Sequence, residues 1–320
     1  MKIVVTGGGG FLGSRVIELL LQRKDAGTGA VAFDEIVSLD LAECPVNDSR
    51  VSSVKGSIGD ADLLHQLVTE DTVGIFHLAA VLSGGSEDDF DLAMNVNVDG
   101  TRALLEAARN IQATPRFVFT SSLAVFGGAM PELVPENMAT QPESTYGMVK
   151  SIGELLVNEY TRKGYIDGRV CRLPTISVRP GKPNSAASSF ASSIIREPMN
   201  GTASVCPVPV DTKLWLSSPN AAVANLVHAF ELGAEMLGNW RVLNIPGLSV
   251  TAAEMLASLE RVGGQSAREL VSIDYDAKID AIVGSWPGAF DVARTLTLGF
   301  VSDTDFDQVV RQYRDDFIAN

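Results

Sequence analysis

The 320-residue sequence predicts an α/β chain: a doubly wound parallel sheet over residues 1–173, then a smaller C-terminal region, 174–320, with some segments returning to the sheet. Three observations predict it. Short strand-like runs alternate with stretches of helical periodicity as far as residue 173, the order expected of βαβ units. The first run ends in a glycine-rich turn that opens a helix. A chain of this length also buries a large core, enough for one doubly wound domain of about 170 to 180 residues with an appended region.

Lys2 to Thr6 (KIVVT) reads as a buried parallel strand, and Gly7 to Gly10 interrupt it too early for a secretory signal. The helix Phe11 to Arg23 follows, with Phe11, Leu12, Val16, Ile17, Leu19 and Leu20 at helical spacing. Gly7, Gly10 and Gly13 suit a tight turn, close approach by a pyrophosphate and close helix-to-strand packing, with the phosphates on the helix N-terminus beside Phe11 and Leu12. A glycine cluster alone also suits a flexible turn. Strand, turn and helix in this order point to a dinucleotide site of the Rossmann type.

Glu35 to Leu41 is the expected second strand. It ends in Asp40, 27 residues beyond Gly13 (13 to 40). A carboxylate at that tip accepts from the adenosine ribose hydroxyls and repels a 2′-phosphate, which favours NAD over NADP; a solvated loop acid is the alternative. Val51 to Gly56 is a third strand, and the turn at Ser57 and Ile58 is expected over the adenine edge before a helix from Ala61 to Thr69. Gly74 to Val81 (GIFHLAAV) is the fourth strand. Its Leu78, Ala79 and Ala80 are expected against the dinucleotide, and Ser83, just beyond, is a candidate substrate contact. His77, inside this apolar run, reads as a packed structural residue.

Asp88 to Asn110 carries a long helical pattern with Asn97 inside it; a buried Asn needs a water or backbone partner. Arg116 to Ser122 is the fifth strand and delivers Ser122 to the C-terminal end, where ligands of open α/β sheets bind. After the proline-containing loop Met130 to Pro142, long enough to fold over a site, come Tyr146 and Lys150 at the start of a helix running to about Lys163. Spaced i,i+4, they share one helix face. A fixed cation and a dry pocket bring a phenol toward the working range of a base. Taken alone, the pair also fits an ordinary surface helix.

Together, Thr6 to Gly13, Asp40, Asn97 to Thr101, Ser122 and the Tyr146/Lys150 pair resemble the extended short-chain dehydrogenase/reductase family of NAD-dependent epimerases, dehydratases and dehydrogenases. The resemblance covers roughly residues 1 to 173. It implies Tyr146 as the acid/base, Lys150 binding the nicotinamide ribose and lowering the tyrosine pKa, Ser122 polarising the substrate oxygen, Asn97 holding a water relay, and Pro174 beside the cofactor. It also implies a dimer built from the helices within 88–110 and 146–163, with Ala103, Ala107 and Ala108 permitting close approach. Phe126 departs from the pattern, standing where the epimerases carry a second tyrosine.

Beyond the sixth strand, Arg169 to Leu173, lies a basic, proline-rich connector containing Arg179 and Lys182. A helical stretch Ser185 to Arg196, helices Ala221 to Leu232 and Thr251 to Val262, a strand Trp240 to Pro246, and a terminal helix Asp303 to Ile318 are expected next. That last helix should turn Phe306, Val309, Val310, Tyr313 and Phe317 inward. A carboxylate substrate needs a charge-assisted donor, so Arg179, and after it Lys182, is the candidate anchor; a solvated arginine on a turn is the alternative.

The net charge, 25 − 39 = −14, argues against nucleic acid or an anionic membrane surface as partner. No apolar run approaches the ~20 residues of a membrane span. Cys44, Cys171 and Cys206 are odd in number and widely spaced, which speaks against a disulfide framework or a metal site and for a reducing cytoplasm.

The connector Arg172 to Asn184 resembles the D-erythronate dehydrogenase branch, which implies oxidation of a small sugar acid at its second carbon. A nucleotide-sugar epimerase or dehydratase would return its hydride instead, and the Asn-Val-Tyr-Gly-Pro run of the epimerases is missing here. An NAD-sensing regulator would lose the Tyr/Lys pair, which this chain keeps.

Overall fold

The computed structural model of the chain describes residues 1–181 and 187–318. Its centre is a sheet built from β1 (Lys2–Thr6), β2 (Glu35–Asp40), β3 (Val51–Lys55), β4 (Thr72–His77), β5 (Arg116–Ser122) and β6 (Asp167–Leu173). After β7 (Thr175–Ile176), β8 (Ser204–Cys206) and β9 (Lys213–Ser217), the chain returns β10 (Val242–Asn244) to the same sheet. The order is β10-β6-β5-β4-β1-β2-β3 and every pairing is parallel. The strand order therefore reverses between β1 and β4, the switch point where open α/β sheets bind ligands. β1 is apolar on both faces and fully buried from Ile3 to Val5, as a strand covered by helices on both sides must be.

α1 (Phe11–Asp25), α2 (Ala61–Leu67), α3 (Ser83–Asp88), α4 (Phe90–Ala93), α5 (Thr101–Arg109) and α6 (Thr145–Arg162) supply the layers around the first five crossovers. The helix expected over 88–110 is α4 and α5 joined by a π-helical turn, Met94–Gly100. The fourth strand stops at His77, four residues short of Val81. Val81 is instead paired by the Asn97 amide, whose Oδ1 accepts from its N–H at 2.8 Å and whose Nδ2 donates to its carbonyl at 3.0 Å. His77 stitches β4 to its neighbours: Nδ1 lies 2.7 Å from Thr6 Oγ1 and Nε2 2.8 Å from Thr101 Oγ1. Thr101 gives its own proton to the Asn97 carbonyl, so Nε2 is the donor and Nδ1 accepts from Thr6. Burial pulls this imidazole down to about 3, and it stays neutral.

Helix Pro219–Glu231 packs on α1, β5 and β6. Two strand arginines hold its C-terminal carbonyls: Arg169 donates to Ala229 at 2.8 Å and to Leu232 at 2.7 Å, and Arg116 to Phe230 at 2.7 Å. Cations at the negative end of the helix dipole justify two arginines in so buried a place. The remaining segments form a second core around helices Phe190–Met199, Ala252–Gly263 and Phe306–Phe317. There β9 pairs with β7 and with β11 (Leu248–Thr251), and β8 with β12 (Val271–Ile273). None of β7, β8, β9, β11 and β12 has a signal strong enough to be expected from sequence, because each is at most five residues long and closed by distant partners.

Three expectations are corrected here. Phe317 is 39% exposed, unlike the buried Phe306, Val309, Val310 and Tyr313, since it lies in the last turn of its helix. Ala107 and Ala108 are buried in the subunit's own core beneath α5, so neither offers a surface for a second copy. The loop 130–142 lines neither of the two cavities described below; Val134 pins it by pairing with Ala289 and Asp291. Lys182, and the start of the helical stretch at Ser185, lie outside the described residues.

Candidate active site

A cavity of about 550 Å³ follows the C-terminal ends of the sheet across the switch point. At one end the glycine turn closes to backbone contact. Gly7 has φ +78°, and a Cβ there would meet Ala79 N at 2.7 Å; a Cβ on Gly13 would lie 2.1 Å from the Gly7 carbonyl. At Gly10 a Cβ would touch nothing closer than Gly7 O at 3.2 Å, so the turn's inner surface is bare backbone facing the cavity beside Phe11 and Leu12. Asp40 is held at the tip of β2, its Oδ2 accepting from Gly9 N at 3.1 Å and its Oδ1 from Ala42 N at 3.0 Å. Ser57 and Ile58 form the wall beyond it, and Leu78, Ala79 and Ala80 the floor. This cradle fits a dinucleotide: amides and a helix N-terminus for the pyrophosphate, and a fixed carboxylate for the ribose.

At the other end stand Ser83, Ser122, Tyr146, Lys150, Pro174 and Arg179. The N-terminus of α6 is pressed against the turn after β5, since a Cβ on Gly147 would lie 2.0 Å from the Ala124 carbonyl. Tyr146 and Ser122 line the same cavity, and the Ser122 Oγ caps the turn by accepting from Ala124 N at 3.1 Å. Ser144 caps α6 by accepting from Gly147 N at 3.1 Å, and Glu87 of α3 accepts from Thr145 N at 2.6 Å.

Lys150 is 3% exposed, donates to the Thr120 carbonyl at 2.8 Å, and lies 5.6 Å from the Tyr146 ring centroid. Desolvation pulls its ammonium down to about 7, opposed by the Glu154 carboxylate one helical turn on. Part of the Tyr146 ring faces the cavity, yet the protein packed around its phenol pushes it up to about 12, and the opposing charge is Arg179. Desolvation lowers Arg179 in turn, and Tyr146 works against that shift. Beneath the site, Glu154 is paired with Arg172 through two bonds, at 2.8 and 2.7 Å, and accepts from Ser121 at 2.5 Å. This buried fork ties α6 to β5 and β6.

Of the described residues proposed from sequence for the site, only Asn97 stays outside the cavity. Its amide is committed to Val81, and it acts on the site by shaping the chain after β4. Sequence reading missed Ser188 and Trp286, which line the Tyr146 end, and the Glu154–Arg172 fork. The Lys150-to-Glu154 spacing carried a hint of the fork. Nothing local marked Trp286, which reaches the site from more than 100 residues beyond Tyr146 (146 to 286). Phe126 is fully buried, under the Arg172 guanidinium at 4.8 Å, where a tyrosine hydroxyl would need a partner.

A dinucleotide cradle that leads to a phenol, an ammonium and a hydroxyl in the same cavity is the arrangement of NAD-dependent enzymes of the doubly wound class. The model of the NAD dependent epimerase/dehydratase family matches residues 3–213, and the chain belongs to that family, with NAD as its cofactor. A relative from Cupriavidus necator named D-erythronate dehydrogenase is 52% identical over 99% of this chain and 98% of its own length. One of the same name from Haemophilus influenzae is 45% identical over 98% of both chains. The solved structure of a nucleoside-diphosphate-sugar epimerase from Agrobacterium tumefaciens superposes with a TM-score of 0.92 at 34% identity, covering 99% of this chain and 94% of that one.

Proposed function

We propose that the chain is an NAD-dependent dehydrogenase that oxidises a secondary alcohol of a small sugar acid, D-erythronate to 2-dehydro-D-erythronate. The observation that carries this reading is Arg179 beside Tyr146 in one cavity, a guanidinium next to the base where a 2-hydroxy acid brings its carboxylate. The names of the two full-length relatives supply the four-carbon acid.

In this reading Arg179 anchors the carboxylate, Ser122 donates to the substrate oxygen, and the Tyr146 phenolate removes the hydroxyl proton. Lys150 and Arg179 stabilise that phenolate, while Lys150 also holds the nicotinamide ribose. Bound NAD supplies the hydride acceptor. Gly7, Gly10 and Gly13 receive the pyrophosphate and Asp40 the adenosine ribose. The chain works as a homodimer through α4, α5 and α6, where Phe90, Leu92 and Leu155 are 53, 45 and 62% exposed. A reducing cytoplasm suits its three free cysteines. No described helix is long and apolar enough to cross a membrane.

A nucleotide-sugar epimerase remains the second reading because of the Agrobacterium structure's name. NADH appearance, screened over hydroxy acids of three to six carbons with UDP-sugars as controls, decides between them. Net NADH from D-erythronate is expected; turnover of a UDP-sugar without net NADH would sink the dehydrogenase reading.

A further inference from the structure

A second cavity, of about 1030 Å³, adjoins the first at its Tyr146 end, and Ser83 and Trp286 line both. None of the glycine turn, Asp40 or Ser57 reaches it. Among the described residues, Trp286 is the one large side chain that borders both. Its backbone N–H donates to the Val283 carbonyl at 3.1 Å, and its side chain packs against both the C-terminal core and the cluster around Phe126. Two residues on, Gly288 passes so close to Lys213 that a Cβ would lie 2.6 Å from the lysine Cβ. Phe290 then wedges between Phe126 and Trp215, with ring centroids 5.7 Å from each. Its chain is thus fastened on both sides.

Charge distinguishes the two cavities. The second cavity is lined by Glu87, Asp88, Glu143, Asp274 and Asp276 against Lys278 alone. A carboxylate is therefore drawn toward Arg179 and repelled from the chamber beyond Trp286. An acid with its carboxylate at Arg179 and its hydroxyl at Ser122 and Tyr146 shares its cavity with Trp286, which also borders the acidic chamber.

We propose that Trp286 sets the length of the acid this enzyme accepts, by stopping the distal end of the substrate chain at the entrance to the acidic chamber. This rests on the sugar-acid reading above. An extra carbon in a closed pocket changes discrimination by roughly 10- to 200-fold, so wild type should lose at least about tenfold in kcat/KM per carbon beyond four. Trp286→Ala joins the two chambers and should raise the six-carbon to four-carbon kcat/KM ratio at least about tenfold, whereas Trp286→Phe should keep most of the discrimination.

The experiment is a kcat/KM series over aldonates of four, five and six carbons for wild type and both variants, with NAD binding followed by fluorescence. Inhibition of the wild type by the longer acids is measured alongside, so that the outcome does not depend on the alanine variant folding. An NAD-binding Trp286→Ala with an unchanged length ratio overturns the proposal. So do five- and six-carbon acids that inhibit wild type as tightly as the four-carbon acid binds. Should wild type oxidise no small sugar acid, the functional reading fails by itself. The Trp286 inference is then decided on whichever alcohol series the enzyme does oxidise, whose length profile must still extend in Trp286→Ala.

Discussion

Tyr146 is set between two opposing influences: packing pushes its phenol up to about 12, and Arg179 pulls it down. Oxidation requires the phenolate, so kcat/KM in the oxidising direction should climb with pH as the phenol deprotonates. Removing Arg179 takes away the lowering charge and moves that limb to higher pH. Arg179→Ala should thus lose most activity near neutrality and recover part of it in alkali, along with a raised KM for the acid. Tyr146→Phe should abolish the limb and cut turnover by about 100- to 10,000-fold while NAD still binds. Steady-state kinetics across pH with NAD titration checks both variants. Retention of more than about a tenth of wild-type turnover by Tyr146→Phe would rule out the phenol as base. The pairing of Tyr146 with Lys150 was legible because an i,i+4 spacing is a local property of one helix. Arg179, the charge felt by the phenol, is 33 residues further on (146 to 179), past a strand, and only folding brings the two together.

The π-helical turn Met94–Gly100 is the element whose job differs most from its sequence pattern. A regular helix through this stretch would place Asn97 on a different face; the wider turn lets its amide pair both ways with the backbone of Val81. Those two bonds fix the chain at Val81, just beyond Leu78 and Ala79, whose N–H groups still donate to the Thr6 carbonyl at 3.0 and 3.1 Å. Asn97→Ala leaves the part-buried Val81 N–H unpaired, at roughly 1–3 kcal/mol, while the Val81 carbonyl keeps the Ser86 hydroxyl at 3.1 Å. Its expected result is a lower melting temperature together with a several-fold higher KM for NAD. Calorimetry and cofactor kinetics measure the two, and a variant with wild-type stability would show that Val81 does not depend on Asn97.

At the scale of the whole molecule, the apolar side chains Phe90 and Leu92 on α4 and Leu155 on α6 are left exposed, in contrast to the buried Ala107 and Ala108. Sedimentation at micromolar concentration should therefore show a species of twice the 34.0 kDa chain. Leu155→Glu, placing a charge on the most exposed of these side chains, should shift it toward the monomer. A single 34 kDa species in wild type would refute the dimer.

The parallel sheet, the cofactor and the shared helix face of Tyr146 and Lys150 were written in the sequence because each rests on short-range chemistry. A five-residue apolar strand, a turn that tolerates no Cβ, a carboxylate at the next strand tip and a phenol one helical turn from an ammonium keep their meaning wherever the rest of the chain goes. Sequence offered Arg179 as a candidate, but which distant residues share the cavity with Tyr146 was decided by tertiary structure. Arg179 reaches Tyr146 because β7 pairs with β9 and the Arg179 N–H donates to Ser192 at 3.1 Å. Trp286 reaches the same cavity because Val134 and Phe290 fasten its segment from outside. Such contacts join residues tens to more than a hundred positions apart through packing, and packing leaves no periodicity in the sequence to be read.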